Sequence, residues 1–219
     1  MSSPPPESYG ARGAYQDARA ARHYGEAAGT GGRGVLGRYR RAVERRAVAQ
    51  LTAHIPAGAT VLDCPCGNGR WLEALSARAG RIVGLDLSPA MLGEARARAR
   101  SLGIEAAFLA GEVERLPLSD GAVDFTFSFA LTKHLPQPVQ RRALAEFGRV
   151  SRLGVICSFG VFGPLSEALW RRRGLAESYP IRRAELDGMA AEAGLRVTRL
   201  VRCSTPLGVE HLARLDRAG

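Results

Sequence analysis

Thr60-Val61-Leu62-Asp63-Cys64-Pro65-Cys66-Gly67-Asn68-Gly69-Arg70 is the stretch that decides how this chain folds. Val61 and Leu62 read as the end of a buried strand, with Asp63 at its carboxyl end. Gly67 and Gly69 supply a turn, and Trp71-Leu72-Glu73-Ala74-Leu75 continues as a helix. Glycines between a strand and a helix let the backbone approach a ligand closely, and the free amides of the helix's first turn favour a negatively charged group. The stretch therefore points to a nucleotide-like ligand.

Two glycines in a turn are weak evidence alone, and the residues downstream sharpen the reading. Arg81-Ile82-Val83-Gly84-Leu85-Asp86 reads as a second strand ending in an acid, 23 residues beyond Asp63. An acid so placed can accept hydrogen bonds from the two hydroxyls of a ribose. A dinucleotide fold wants a third small residue three positions after Gly69, to let helix and strand pack closely, but Leu72 stands there. The expected ligand is a nucleoside derivative and not a dinucleotide.

These residues resemble motif I of the class I S-adenosylmethionine-dependent methyltransferases, D-x-G-C-G-x-G. The resemblance continues through Asp86-Leu87-Ser88-Pro89-Ala90-Met91-Leu92, through Gly111-Glu112-Val113-Glu114-Arg115-Leu116-Pro117-Leu118, and through Val123-Asp124-Phe125, over roughly residues 55 to 160. Pro65 departs from the pattern, standing where the family more often has its first glycine. Proline has a fixed φ and no amide to donate, so the loop must turn without a left-handed residue at that point.

The resemblance implies S-adenosylmethionine as cofactor, held by Asp63, Cys66, Gly67, Gly69, Asp86, Leu87, Met91, Glu112, Val113 and Phe129. Within that set Asp86 binds the ribose, Met91 lies beside the adenine, and Glu112 accepts from the adenine amino group with the next backbone amide meeting the ring. It also implies a methyl acceptor of the small-molecule kind, similar to quinones or natural products and modified at oxygen or carbon. An acceptor on RNA or protein, or a protein that binds the cofactor without catalysis, stands as the alternative. His134 in Ala130-Leu131-Thr132-Lys133-His134-Leu135-Pro136 follows the fourth strand, near where the methyl group should lie. Its ordinary pKa suits a general base for a hydroxyl acceptor. The absence of N-P-P-Y or D-P-P-Y in that run argues against enzymes that methylate exocyclic adenine amines or the glutamine of release factors.

Composition limits the remaining choices. With 219 residues and 46% hydrophobic content, the chain can bury one sizeable core. The formal charge is +10, and of the 31 basic residues only Lys133 is a lysine. Codon bias accounts for the choice of arginine but not for the shortage of acids. A basic surface attracts nucleic acid or anionic substrates, so nucleic acid remains a partner to test, less favoured than a small molecule. Cys64, Cys66, Cys157 and Cys203 show no pairing framework and no C-x-x-C spacing, which reads as small buried side chains, no metal site and a reducing, cytoplasmic setting. No signal pattern and no apolar run long enough to span a membrane is expected from the sequence.

The expected fold is α/β, a doubly wound, mostly parallel seven-stranded sheet with helices on both faces and an N-terminal helical lid. Residues 1–34 read as a flexible N-terminal segment that the resemblance implies is a lid, with Tyr15 and Tyr24 candidates to touch a ligand, and residues 35–219 as the methyltransferase domain. A helix from about Val35 to Ala53 places Leu36, Tyr39, Val43, Ala47 and Leu51 on one face. Ser88 should cap a helix that has Pro89 in its first turn. Strands are expected at 106–110, 123–129, 155–159 and 195–201, with a final one at 209–215 that the resemblance implies is antiparallel. Helices are expected at 141–150 and 182–193, and an amphipathic insert at 165–173.

Overall fold

The computed structural model describes residues 34–163, 167, 178–204 and 208–218. Tyr15, Tyr24, nearly all of the proposed lid segment and nearly all of the 165–173 insert lie outside these residues. The described elements are α1 (Val35–Thr52), β1 (Thr60–Asp63), α2 (Leu72–Ser76), β2 (Arg81–Asp86), α3 (Pro89–Leu102), β3 (Ala106–Ala110), β4 (Val123–Ser128) and a 3₁₀ turn at Thr132–His134. Then come α4 (Gln137–Val150), β5 (Ser151–Gly160), α5 (Arg183–Glu192), β6 (Leu195–Arg202) and β7 (Glu210–Arg217).

The seven strands form one sheet in the order β3-β2-β1-β4-β5-β7-β6. All neighbours are parallel except β7, which runs antiparallel to both β5 and β6. This agrees with the expected doubly wound architecture, including the antiparallel final strand. The strand order reverses between β1 and β4, and in open α/β sheets such a reversal leaves a crevice outside the strands' carboxyl ends.

Apolar periodicity explains the layers. Val61 of β1, Ile82 of β2, Phe125 and Phe127 of β4 and Leu212 of β7 form a buried cluster on one face, covered by Ala47, Val48 and Leu51 of α1 and Leu72 and Leu75 of α2. On the other face Leu62, Val83, Val155 and Leu215 pack with Val139, Ala143 and Phe147 of α4 and Leu186, Met189 and Ala190 of α5. β4 is almost wholly buried, as a central parallel strand covered on both faces should be. Its polar Thr126 is accommodated by a 2.8 Å hydroxyl pair with Ser151.

Local signals account for the element ends. Ser88 caps α3, its hydroxyl accepting from the Met91 amide at 3.3 Å, and Pro89 opens the helix. Gly194, at φ +68°, follows α5 as expected of a left-handed helix stop. Two elements begin before their expected starts: α4 begins at Gln137, with Pro136 in the capping position, and β5 begins at Ser151, where it pairs with Val123.

The expected apolar face of α1 is corrected. Leu36 is 69% exposed and Tyr39 is also exposed, whereas Gly37, Glu44, Ala47, Val48 and Leu51 are buried. Only the second half of the helix reaches the sheet, and its inward stripe is centred on the line 37-44-48-51, which puts a carboxylate among the apolar residues.

Close approach of β5 and β7 makes Gly154 a sensitive position. A methyl group there would stand 2.5 Å from the Leu215 carbonyl oxygen, whereas one on Gly93, on the outer face of α3, meets nothing within 4 Å. Gly154→Ala is expected to destabilise the protein by about 1–3 kcal/mol through overpacking. Gly93→Ala is expected to stabilise it by about 0.4–1 kcal/mol by removing backbone freedom from the unfolded chain. Urea unfolding of the two variants beside the parent checks both signs.

Candidate functional site

The loop after β1 sits where the strand order reverses. Hydrogen bonds fix its path: the Cys64 amide donates to the Phe127 carbonyl at 2.9 Å, Cys66 to Leu85 at 2.8 Å, and Gly69 back to Cys66 at 2.9 Å. The loop is thereby stitched to β4 on one side and β2 on the other. Gly67 and Gly69 adopt φ +52° and +75°, and the Cys64–Pro65 peptide is cis. A side chain on Gly69 would strike Leu72, while Gly67 has open space above it. Gly84 in β2 lets the loop lie close, because the Phe108 ring and the Cys66 sulfur fill the space its side chain would take.

Two acids stand at neighbouring strand ends in different environments. Asp86 accepts from the amides of Gly67 and Ser88, both at 2.9 Å. Burial raises its pKa, while the amides of Ser88, Gly67 and Leu87 oppose that rise. Asp63 is 1% exposed, and neither of its oxygens has a hydrogen-bond partner among the described residues. Its pKa is pushed well up, first by burial and then by the charge of Asp86.

The other residues expected at the cofactor site follow the ends of β2, β3 and β4. The Gly111 amide donates to the Asp86 carbonyl at 3.2 Å, which brings Glu112 and Val113, both half-buried, to the end of β2. Leu87 is exposed, Met91 is buried under the start of α3, and Phe129 is buried just past the end of β4. His134 lies half-buried in the 3₁₀ turn beyond β4.

Several features of the site escaped the sequence reading. Ala130, directly after Phe129, takes φ +62°, a conformation costing roughly 1–2 kcal/mol for a residue with a Cβ. Its amide donates to the Ser158 hydroxyl at 2.7 Å, holding the backbone where β4 opens into the crevice. Arg70 reaches the buried Glu44 carboxylate of α1, which also accepts from Arg40 at 2.9 Å. The same guanidinium lies 4.5 Å over the Trp71 ring and 5.9 Å from Phe129. One side chain thus joins α1, the glycine loop and the end of β4. The available signal was an acid among arginines on the inward line of an amphipathic helix.

A second ion pair joins the 3₁₀ turn to β7, where Lys133 meets both oxygens of Glu210 at 3.0 and 2.9 Å. In both clusters the acid is sealed and the base reaches outward: Glu44 and Glu210 are 2% and 9% exposed, Arg70 and Lys133 27% and 19%. The buried Cys203 thiol feels the charges of Glu210, Glu44, Lys133 and Arg40, so the two clusters flank one region. Arg41, on the inward line of α1 one turn before Glu44, has a buried guanidinium nitrogen without a hydrogen-bond partner among the described residues.

Burial predicts an asymmetry in the first cluster. Arg70→Ala leaves a buried carboxylate with Arg40 alone, a loss of about 1–3 kcal/mol for an under-satisfied buried acceptor. Glu44→Ala should cost less, because Arg70 and Arg40, 27% and 46% exposed, can turn to water. Urea unfolding that ranks the two variants in the opposite order would show that the acid anchors the clamp in another way.

Comparison with known proteins adds to this geometry. Residues 61–154 match a family model described as a methyltransferase domain. The chain is 33% identical over 165 residues to a malonyl-[acyl-carrier protein] O-methyltransferase of Pectobacterium atrosepticum, covering 72% of this chain and 60% of that protein. It is 36% identical over 110 residues to a demethylmenaquinone methyltransferase of Bacillus licheniformis, covering 48% of this chain and 46% of that protein. The chain thus spans less than two thirds of the length of the curated relatives it matches. Among solved structures, magnesium protoporphyrin IX methyltransferase from Synechocystis with bound SAH superposes with a TM-score of 0.71 at 18% identity, over 92% of this chain and all 100% of the other. Residues 61–154 thus resemble a methyltransferase domain, and they lie in a seven-stranded sheet that has the class I, Rossmann-like methyltransferase fold.

Proposed function

We propose that the chain is an S-adenosylmethionine-dependent methyltransferase acting on a small-molecule acceptor at oxygen or carbon. The observation that carries this reading is the pair of acids, Asp63 and Asp86, flanking a left-handed glycine loop at the strand-order reversal, inside the segment that matches the methyltransferase domain. The residues fit the cofactor. Gly67 leaves its backbone open to close approach, Asp86 has acceptor capacity beyond its two amide bonds, and Asp63 is a buried acid awaiting a partner.

When bound, S-adenosylmethionine supplies an electrophilic methyl group on a sulfonium, with a neutral thioether as leaving group. Asp86 would hold the ribose hydroxyls, Glu112 and the Val113 amide the adenine edge, and Cys66, Gly67 and Gly69 the backbone side of the amino-acid portion, with Leu87, Met91 and Phe129 supplying apolar contact. The protein's main task is alignment of the acceptor, worth on the order of 7–11 kcal/mol of the barrier. The fixed backbone at Phe129 and Ala130 and the Arg70 clamp serve that task. His134 would take the proton of a hydroxyl acceptor, adding roughly 10²- to 10⁴-fold.

A macromolecular acceptor is the less supported reading. Several arginines are paired within the domain: Arg149 with Glu146 and Asp120, Arg152 with Asp124, Arg182 with Glu167, and Arg183 with Asp187. Arg182 and Arg183 thus offer a phosphate backbone little uncompensated charge, while Arg171 to Arg173 lie outside the described residues. The match to relatives named for malonyl-[acyl-carrier protein] and demethylmenaquinone also supports a small acceptor. Four free, buried cysteines are consistent with a cytoplasmic setting, and no helix among the described residues is long and apolar enough to cross a membrane.

Calorimetry with S-adenosylhomocysteine tests the cofactor. Asp86→Ala should weaken binding by about 1.5–3 kcal/mol, the worth of hydrogen bonds to a charged group. Equal affinity in variant and parent would refute the ribose assignment, and preferential binding of NAD would refute the function. Once an acceptor is found, His134→Ala should lower turnover by roughly 10²-fold or more with cofactor affinity unchanged. A fall of less than about fivefold would leave His134 a shaping residue and catalysis to alignment.

A further inference from the structure

Asp63 ends β1 as a buried carboxyl group with neither oxygen bonded. Its cross-strand neighbours are Gly84 on β2 and Phe127 on β4, one without a side chain and the other apolar. The titratable groups that face it are Asp86 from the end of β2 and the thiols of Cys64 and Cys66 from the following loop. The charge felt at Asp63 is that of Asp86 and has the same sign. Arg70, the cation of the loop, is committed to Glu44 and to the faces of Trp71 and Phe129.

A carboxylate in such a place is held neutral, because burial without donors penalises the charged form and a second carboxylate adds to the penalty. Asp86 is better placed to carry the negative charge, since backbone amides of Gly67 and Ser88 point at it. Unequal surroundings of this kind separate the roles of two neighbouring acids. An acid kept neutral for want of a cation is also an acid that a cationic ligand can ionise. S-adenosylmethionine carries one positive charge more than S-adenosylhomocysteine, the sulfonium.

Building on the proposed cofactor, we propose that Asp63 stands as a neutral acid in the free protein and gives up its proton when the cationic cofactor binds, so that it favours the sulfonium donor over the thioether product. The O–H bond breaks, the proton passes to the solvent buffer, and the carboxylate left behind balances the cofactor's positive charge. Transfer of the methyl group removes the sulfonium charge, and the proton returns as the product leaves.

The direction with pH follows by linkage. Asp63 has a folded-state pKa above its unfolded value, so its favourable contribution to folding is complete below the unfolded pKa and is lost as pH rises towards the folded one. Cofactor binding lowers that pKa, releases the proton and therefore strengthens as pH rises through the same range. Because the sulfonium adds a charge, the affinity ratio of S-adenosylmethionine to S-adenosylhomocysteine should also rise.

Calorimetric titration of the whole chain with each cofactor form, in buffers of different ionisation enthalpy between pH 5 and pH 8, measures the proton count directly. The expected result is release approaching about one proton per S-adenosylmethionine bound, and less for S-adenosylhomocysteine. Asp63→Asn should abolish the release and flatten the affinity ratio against pH, whereas Asp86→Asn should weaken binding and keep the release. Heats that are independent of buffer in the parent, or release that survives in Asp63→Asn, would overturn the proposal while leaving the cofactor assignment intact. Failure of both forms to bind the parent would instead overturn the function itself, and this inference with it. The parent titration needs no variant, so a poorly folded Asp63→Asn does not block the test.

Discussion

The hydrogen bond from the Gly67 amide to the Asp86 carboxylate, 2.9 Å long, ties the loop after β1 to the end of β2. The crevice depends on that tie. Parallel pairing of β1 with β2 and with β4 brings three strand ends together, but strand ends alone leave a gap. The loop converts the gap into a site by bonding to both neighbours and leaving Gly67 open on its outer side. A buried carboxylate supports this only while amides point at it, since its desolvation would otherwise disfavour the charge. Asp86 therefore acts first as a structural acceptor, and its remaining lone pairs are what a ligand can use.

The fold was legible because its signals are local and periodic. Val61-Leu62-Asp63 and Ile82-Val83-Gly84-Leu85-Asp86 are short apolar runs ending in acids, and Gly67 and Gly69 occupy left-handed positions that glycine accepts without strain. Ser88 and Pro89 announced α3, and Gly194 the stop of α5. The antiparallel last strand followed from the resemblance to a known family, whereas the order of the strands in the sheet did not follow from periodicity, which says nothing of which strands are neighbours.

The less legible parts are those made by contacts distant in sequence. Nothing near Glu44 indicates that its partner is Arg70, 26 positions later, or that Lys133 will meet Glu210 across 77. The inward stripe of α1 likewise carries the buried Glu44 of an ion pair, while Leu36 and Tyr39 near the start of the helix stay exposed. Ala130 is a similar case, because alanine carries no sequence mark of a positive φ. The strain there is held by the Ser158 hydroxyl, 28 residues away, and strain retained at a strand end is a common companion of function.

The four cysteines have a use unrelated to the crevice. Each is free and buried, and burial pushes every thiol upward, Cys157 to about 12 and the others well above their ordinary range. Thiol reagents attack the thiolate, so the folded chain should be nearly inert towards them. Labelling must then wait for an opening motion, and its rate reports the free energy of that motion. Cys64 and Cys66 report on the loop, Cys157 on the centre of the sheet and Cys203 on the region between the two ion pairs. The molecule thus carries four built-in clocks, and differences among their rates would rank how readily each region opens.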